Sequence, residues 1–434
     1  MRRALACSAL LALLAACPAM ADAPKVSKVT PITLPAFPLG EAKYGNGKVM
    51  TLDVGFGSAA IPGKDGLVYF ITDRGPNIDC SEAKDLIGLD AAALCAGDES
   101  AKNFPMPDFA PTLFTLKIEG NAAEIVNQVK LTGASGRPIT GLPNPLKAAT
   151  TETGYDVNGK ALPFDPSGLD TEGLAMAPDG SFWIGEEYAP SIVHISADGK
   201  ILERIVPKGI EGDLANADYP VTGALPAILA LRYLNRGIES VALSPDGAFA
   251  YFAVQSPLAN PDKKAYASSR QIRLIKFDLG KKETAGEYLY PADEASTFIA
   301  DNKKKLAKQS DVKISEVTAL GADRLLVLER IAKTTKLYIV DLNGATALPA
   351  SMDDRATSPS FEQMSLDEAE KAGATPLTKT LVLDTDSIKG IPSKVESVAV
   401  LNPHALLLTN DDDFGIAGDV TQMVRVEFET DVLK

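Results

Sequence analysis

Carboxylates recur in this sequence at a fixed place within a repeated unit. The stretch 170–188, DTEGLAMAPDGSFWIGEEY, carries Glu172 ahead of one apolar run (173–177) and Glu186-Glu187 behind a second (181–185). Pro178-Asp179-Gly180 joins the runs. Pro presets φ, Asp bonds its own backbone and Gly tolerates positive φ, so the pair reads as a hairpin. The open ends of an antiparallel pair are neighbours, which brings Glu172 beside Glu186 and Glu187. Oxygen-only side chains so placed suit a hard cation such as Ca²⁺ rather than zinc or copper, which favour His and Cys.

Four further segments align with this one: 55–77, 236–258, 313–331 and 394–415. Residues at equal distance from a turn should pair across it. Ser58 with Asp73, Glu172 with Glu187, Glu239 with Gln255, Glu316 with Glu329 and Glu396 with Asp411 all centre on plausible turns. A third apolar run follows most hairpins (113–118, 192–196, 272–278, 337–341, 423–428), and a fourth follows several (125–131, 201–206, 380–383). Units of three to four antiparallel strands, repeated radially, are the blades of a β-propeller. The expected fold class is therefore all-β, a propeller with five visible blades and room for a sixth between the first and second units. The run 26–34 has no unit of its own and is expected to pair with the last blade, closing the ring and hiding its edges. Loop and helix insertions interrupt the repeat at 78–111, 137–166, 211–234, 295–309 and 351–374. The last holds an expected helix at 365–372, opened by a Ser-x-x-Glu capping box.

In a propeller the first strand of each blade lines a central channel, so its start and the end of the second strand meet at one mouth. The repeat then places Ser58, Asp73, Arg74, Glu172, Glu186, Glu187, Glu239, Gln255, Glu316, Glu329, Arg330, Glu396, Asn410, Asp411, Asp412 and Asp413 around one opening. So many carboxylates repel one another unless a cation neutralises them. Two readings stand: a metal-binding ring, or one Glu per blade fastening backbone amides of the next blade. Arg74 and Arg330, which follow acidic residues, are either ion-pair partners or forks for a phosphate or carboxylate beside a metal. Arg270 and Arg273 add to that surface from the third unit. Only two histidines exist, His194 in an expected strand and His404 in an expected turn, and no G-x-S-x-G, Walker or H-E-x-x-H motif occurs.

The N-terminus reads as an address. Arg2-Arg3, the apolar run 4–16 and Ala19-Met20-Ala21 form a cleavable signal peptide spanning 1–21, with 22–434 expected as one domain. Leu14-Ala15-Ala16-Cys17 also resembles a bacterial lipobox, so lipid attachment at Cys17 is the alternative to soluble release into the periplasm or medium. No other segment is long and apolar enough to span a membrane. Cleavage leaves 41 basic against 57 acidic side chains, a net charge of −16. That balance opposes nucleic-acid binding, which needs clustered Lys and Arg. Two cysteines remain, Cys80 and Cys95, and in an oxidising compartment they are expected to form a disulfide.

DRGPN (73–77), EGLAMAPDGSFWIGEEY (172–188), RGIESVALSPDG (236–247), ISEVTAL with LLVLER, and VESVAV with NDDDFG stand in order over 49–428. Together they resemble the bacterial phytase-like propeller family often labelled "esterase-like activity of phytase". The resemblance implies Ca²⁺ ions at the channel mouth that bind substrate phosphate and activate a water. It implies Asp73, Glu172, Glu187, Glu239, Glu316, Glu329, Glu396 and Asp411 as ligands, with Asp412 and Asp413 beside them. Arg74 and Arg330 become phosphate contacts, and Glu187 is counted with them as catalytic. The chain departs from the phytases in lacking a lysine-rich phosphate cleft. The expected function is a Ca²⁺-dependent phosphoester hydrolase, a monomer acting on a small phosphoester or ester. The alternatives are a non-catalytic propeller that binds calcium, another hard cation or a partner protein, and a gluconolactonase-like ester or lactone hydrolase using Glu172, Asn410 and Asp411.

Overall fold

Local turn chemistry sets the hairpins. In the second repeat Thr171–Met176 pairs antiparallel with Phe182–Glu186. Gly180 sits at φ 89° and Asp179 Oδ1 accepts the Ser181 amide at 2.9 Å. In the first, Ala59–Pro62 pairs with Leu67–Ile71 across Asp65-Gly66, whose φ values of 55° and 77° match the right-handed twist of the flanking strands. The computed structural model describes residues 23–433; the expected signal peptide and Cys17 lie outside the described residues.

Five sheets of four or five strands follow one another along the chain. The first adds Thr112–Glu119 and Ala122–Lys130 to its hairpin, and the second adds Ser191–Ile195, Ile201–Pro207 and Val221–Leu225. The third is Ala242–Leu243, Phe249–Ala253, Gln271–Asp278 and Glu283–Pro291. The fourth is Lys313–Gly321, Arg324–Arg330, Thr335–Asp341 and Lys379–Asp384. The fifth is Val395–Asn402, Ala405–Asn410 and Met423–Phe428, completed by Val26–Ile32 from the start of the chain. The expected pairing of the N-terminal run with the last repeat is thus present. The interval between first and second sheets holds a three-stranded sheet of two-residue strands.

The fold is mostly β, and no single sheet closes on itself. The first strand of each sheet lies against the first strand of the next, and that of the fifth lies against that of the first. We call these the inner strands. The core is divided between consecutive sheets. Leu113 and Ile71 meet Ile184 and Val193 between the first and second. Ile192 and Trp183 meet Phe252 and Ile275 between the second and third. The same face-to-face packing continues from third to fourth, fourth to fifth and fifth back to first. Apolar residues on both faces of each sheet are the reason: every sheet has two neighbours to bury against.

The helix Leu366–Lys371 forms with the expected capping box, Ser365 and Glu368 bonding each other's backbone amides. Cys80 and Cys95 are joined in a disulfide. It braces a small cluster in which Ile78, Ile87 and Leu94 pack with Tyr44, Met50, Leu52 and Phe414.

Candidate metal centre

Each repeat presents its polar residues by register. Counted back from a buried apolar residue of the inner strand or directly before it (Leu174, Val241, Val317, Val398), the position two before holds Glu172, Glu239, Ser315 and Glu396. The position four before holds Asp170, Gly237, Lys313 and Lys394. At or just beyond the end of the second strand stand Asp73, Glu187, Gln255, Arg330 and Asp411. Backbone bonds align the last two tiers: the Glu187 amide donates to Asp170 O, Gln255 to Gly237 O and Asp411 to Lys394 O.

β-Bulges aim the middle tier. Thr171 pairs with Glu186 but Gly173 with Gly185, which leaves Glu172 as the extra residue; Val395 and Ser397 leave Glu396 in the same way. In the fourth sheet the extra residue is Ser315. A bulge leaves one residue outside the ladder and turns its side chain, here into the space the inner strands surround. Close backbone approach completes the placement. A Cβ on Gly237 would meet Glu187 O at 2.0 Å, and one on Gly57 would meet Asn410 O and Asp411 Cα at 2.4 Å.

The result is a small, wholly polar cavity of about 150 Å³. Asp73, Asp170, Glu172, Glu187, Glu239, Glu396, Asp411 and Asp413 line it with Arg236, Lys313, Arg330 and Lys102. Asp170, Glu172 and Glu187 each bring one oxygen within 4.8 Å of the others, and so do Glu172, Glu239 and Glu396. Glu172 belongs to both sets. Its Oε2, Glu187 Oε1 and Gln255 Oε1 are buried without a hydrogen-bond partner.

Crowding shows in the proton affinities. Burial, then Glu239, Asp170 and Asp73, hold the Glu172 carboxyl well above the usual carboxylate range. Burial and Glu239 push Glu187 up to about 8. Burial pushes Asp170 up to about 7 against the opposing pull of Arg74. Asp73 and Asp411 are raised likewise, by burial first and neighbouring carboxylates second. Carboxylates this close cannot all ionise without a cation among them. Hard oxygens, two three-carboxylate sets and orphaned ligand atoms fit a hard divalent ion.

Several expected ring members turn elsewhere. Glu329 precedes Arg330 on a strand, so it faces the opposite side, where Tyr290 OH, the Asp293 amide and Lys379 satisfy it. Glu186 alternates with Glu187 in the same manner and pairs with Arg204 Nη2 at 2.6 Å. Glu316 occupies the place of Gly173, Ser240 and Ser397, because the fourth repeat reads Ser-Glu-Val where others read Glu-Ser-Val or Glu-Gly-Leu. Its Oε1 accepts the Val317 amide at 3.1 Å, and it does not line the cavity. Asp412 caps a turn through the Phe414 amide and the Thr421 hydroxyl. Asn410 bonds Val420 O and the Gln422 amide, which leaves the Glu172–Asn410–Asp411 set unassembled. Ser58 is buried outside the cavity.

Both arginines are held by carboxylates. Arg74 lies between the Phe104 and Tyr188 rings, with Nη1 2.9 Å from Glu152 and 3.5 Å from Asp170. Arg330 pairs with Glu396 and bonds Ser315 Oγ at 2.9 Å. Arg270 and Arg273 bind Glu294 and the Glu287–Asp353–Glu362 group, away from the cavity. His194 stacks on Trp183 and His404 lies in a turn, as their positions suggested. Sequence reasoning missed Asp170, Lys102, Glu152, Arg236 and Lys313. For Asp170 and Lys313 the signal was available, four residues before a buried inner-strand residue. Lys102 and Glu152 come from insertions with no repeat to align.

A family described as Phytase-like, "Esterase-like activity of phytase", matches residues 54–414. An uncharacterized secreted protein of Arthroderma benhamiae is 25% identical over 231 residues, 48% of this chain and 45% of that protein, so the match spans less than half of its length. A solved protein of Lactobacillus plantarum superposes with a TM-score of 0.33 at 10% identity, covering 87% of this chain and 89% of its own. Virginiamycin B lyase of Staphylococcus aureus, solved with quinupristin, gives 0.32 at 10% identity over 92% and 99%. No helix among the described residues is long and apolar enough to cross a membrane.

Proposed function

We propose that this chain, which belongs to the phytase-like family (esterase-like activity of phytase), is a metal-dependent phosphoester hydrolase. The five sheets are read as the blades of one propeller, with Val26–Ile32 as the strand that closes it, and the leader 1–21 as the signal that exports it. The observation that carries the activity is the pair of three-carboxylate sets sharing Glu172, with ligand oxygens buried and unpaired. Asp170, Glu172, Glu187, Glu239 and Glu396 would hold Ca²⁺ or a similar hard cation, with Asp73 and Asp411 at the edge. Such an ion lowers the pKa of a bound water and neutralises phosphate oxygens.

The remaining work falls to the chain itself. Glu396 and Ser315 fix the Arg330 guanidinium, so its charge is set in place before substrate arrives. Glu152, Phe104 and Tyr188 hold Arg74 against Asp170, fixing that carboxylate's position. No side-chain nucleophile is needed. The cavity admits a single small polar group, so the rest of a substrate stays outside.

The test is calorimetric titration of chelator-stripped protein with Ca²⁺, followed by turnover of an aryl phosphate and an aryl carboxylate ester. Calcium binding with phosphate release supports the reading. Binding without turnover leaves a cation-binding propeller, and turnover of the carboxylate ester alone moves the activity to ester or lactone hydrolysis.

A further inference from the structure

The fourth repeat breaks the acidic pattern. Where the second sheet presents Asp170, Glu172 and Glu187, the equivalent positions of the fourth are Lys313, Ser315 and Arg330. Lys313 and Arg330 are direct cross-strand partners. Arg236, in the segment that leads into the inner strand of the third sheet, lines the same cavity. One wall is therefore cationic and faces a carboxylate wall.

The cations differ in how far they are committed. Arg330 is satisfied by Glu396, Ser315 and Ile331 O. Arg74 is held by Glu152 and Gly141 O and enclosed between the Phe104 and Tyr188 rings, with its buried Nη2 unpartnered. Lys313 Nζ lines the cavity with no hydrogen bond or ion pair to any described residue. Arg236 spends Nη1 on Asn235 O, stands 3.9 Å from Glu187, and leaves its buried Nε without a partner. A lysine amine, which burial, Arg236 and Arg330 hold down to about 7, and a guanidinium N–H left open beside it suit an oxyanion.

We propose that Lys313 and Arg236, braced by Ser315 and Arg330, form an oxyanion subsite that receives the phosphoryl group of a phosphomonoester. The inference rests on the hydrolase reading above and names its substrate class. It also moves phosphate contact away from Arg330, whose donors are taken, and from Arg74, whose guanidinium is enclosed between the Phe104 and Tyr188 rings. A neutral ester carbonyl would leave both open cations unmatched, so the subsite selects a dianionic group.

Inorganic phosphate is the probe, titrated calorimetrically into mature wild-type protein, Lys313→Met, Lys313→Arg and Arg236→Gln, with Ca²⁺ and with chelator. Lys313→Met should bind phosphate about 10- to 100-fold more weakly, the loss of one charged hydrogen bond. Its calcium affinity should hold or rise, because a positive charge beside the carboxylates has gone. Opposite signs for the two ligands separate a contact from a folding defect, which would weaken both. Lys313→Arg should recover most phosphate binding, and Arg236→Gln should lose it while melting like wild type. Wild-type phosphate affinity in Lys313→Met, or in Arg236→Gln should the first variant not fold, overturns the subsite. So does calcium binding by wild type without phosphate binding. Absence of calcium binding overturns the metal reading alone, if phosphate still binds and Lys313→Met loses it.

Discussion

Glu186 and Glu187, adjacent in sequence, are both buried and face opposite sides of one strand. Glu187 opens into the acidic cavity, while Glu186 accepts from Arg204 Nη2 at 2.6 Å and from the Tyr188 and Ala189 amides. Fastening and cavity lining therefore coexist, assigned to alternate residues by the two-residue period of a strand.

The pair separates by mutation. Glu186→Gln leaves the fully buried Arg204 cation short of its partner and should cost about 3–5 kcal/mol in urea unfolding. Glu187→Gln removes a repelling carboxylate and should leave the metal-free protein as stable or more so. Equal losses in both variants would contradict the division of roles.

Glu172 lies in both carboxylate sets, so Glu172→Gln alone should abolish the calcium-induced rise in melting temperature. In wild type, saturation at a hundredfold excess over Kd corresponds to about 2.7 kcal/mol. Combining it with Glu239→Gln should do no further harm to the metal-free fold. A full calcium shift in the double variant would remove the cavity as the metal site.

Glu329→Gln and Asp412→Asn provide the contrast. Glu329 is tied to Lys379 and Tyr290, and Asp412 to Phe414 and Thr421. Both variants should melt at lower temperature yet show an undiminished calcium shift. Loss of the shift would return these residues to the ligand set.

Metal-free stability should fall as pH rises from about 5 to 8. Asp170 and Glu187 titrate at about 7 and about 8 in the folded chain. Unfolded carboxyls titrate near about 4. The folded state thus holds protons the unfolded state has released, a contribution complete below the unfolded value and lost as pH passes through the folded ones. Calcium should flatten this slope and release protons on binding at pH 7. Urea unfolding across pH in chelator, and binding heats compared between buffers of different ionisation enthalpy, provide the check.

Replacing Cys80 and Cys95 with Ser opens a loop closed over 15 residues, a loss of about 3 kcal/mol in the chain-entropy model. Lys102 lines the cavity from this insertion and bonds Asn77 Oδ1 beside it, so calcium affinity should weaken while the five sheets keep their hydrogen-exchange protection. Exchange that accelerates across the sheets instead would mean the bridge supports the whole fold.

The hairpins, their turns, the capped helix at Leu366–Lys371, the disulfide and the return of Val26–Ile32 to the last sheet were all legible in the sequence. Each depends on local chemistry or on a period that every repeat restates. Which carboxylates converge was decided by tertiary structure. In the second, fourth and fifth sheets one bulge residue on the inner strand shifts the pairing by a position, so Glu172 and Glu396 enter the cavity while Glu316 and Glu329, matched to them by symmetric counting, turn away. The cationic wall was hidden for a second reason: Lys313 and Arg236 become neighbours only when separate repeats close around a common axis, and a charge alone on a strand carries no mark of what it will face.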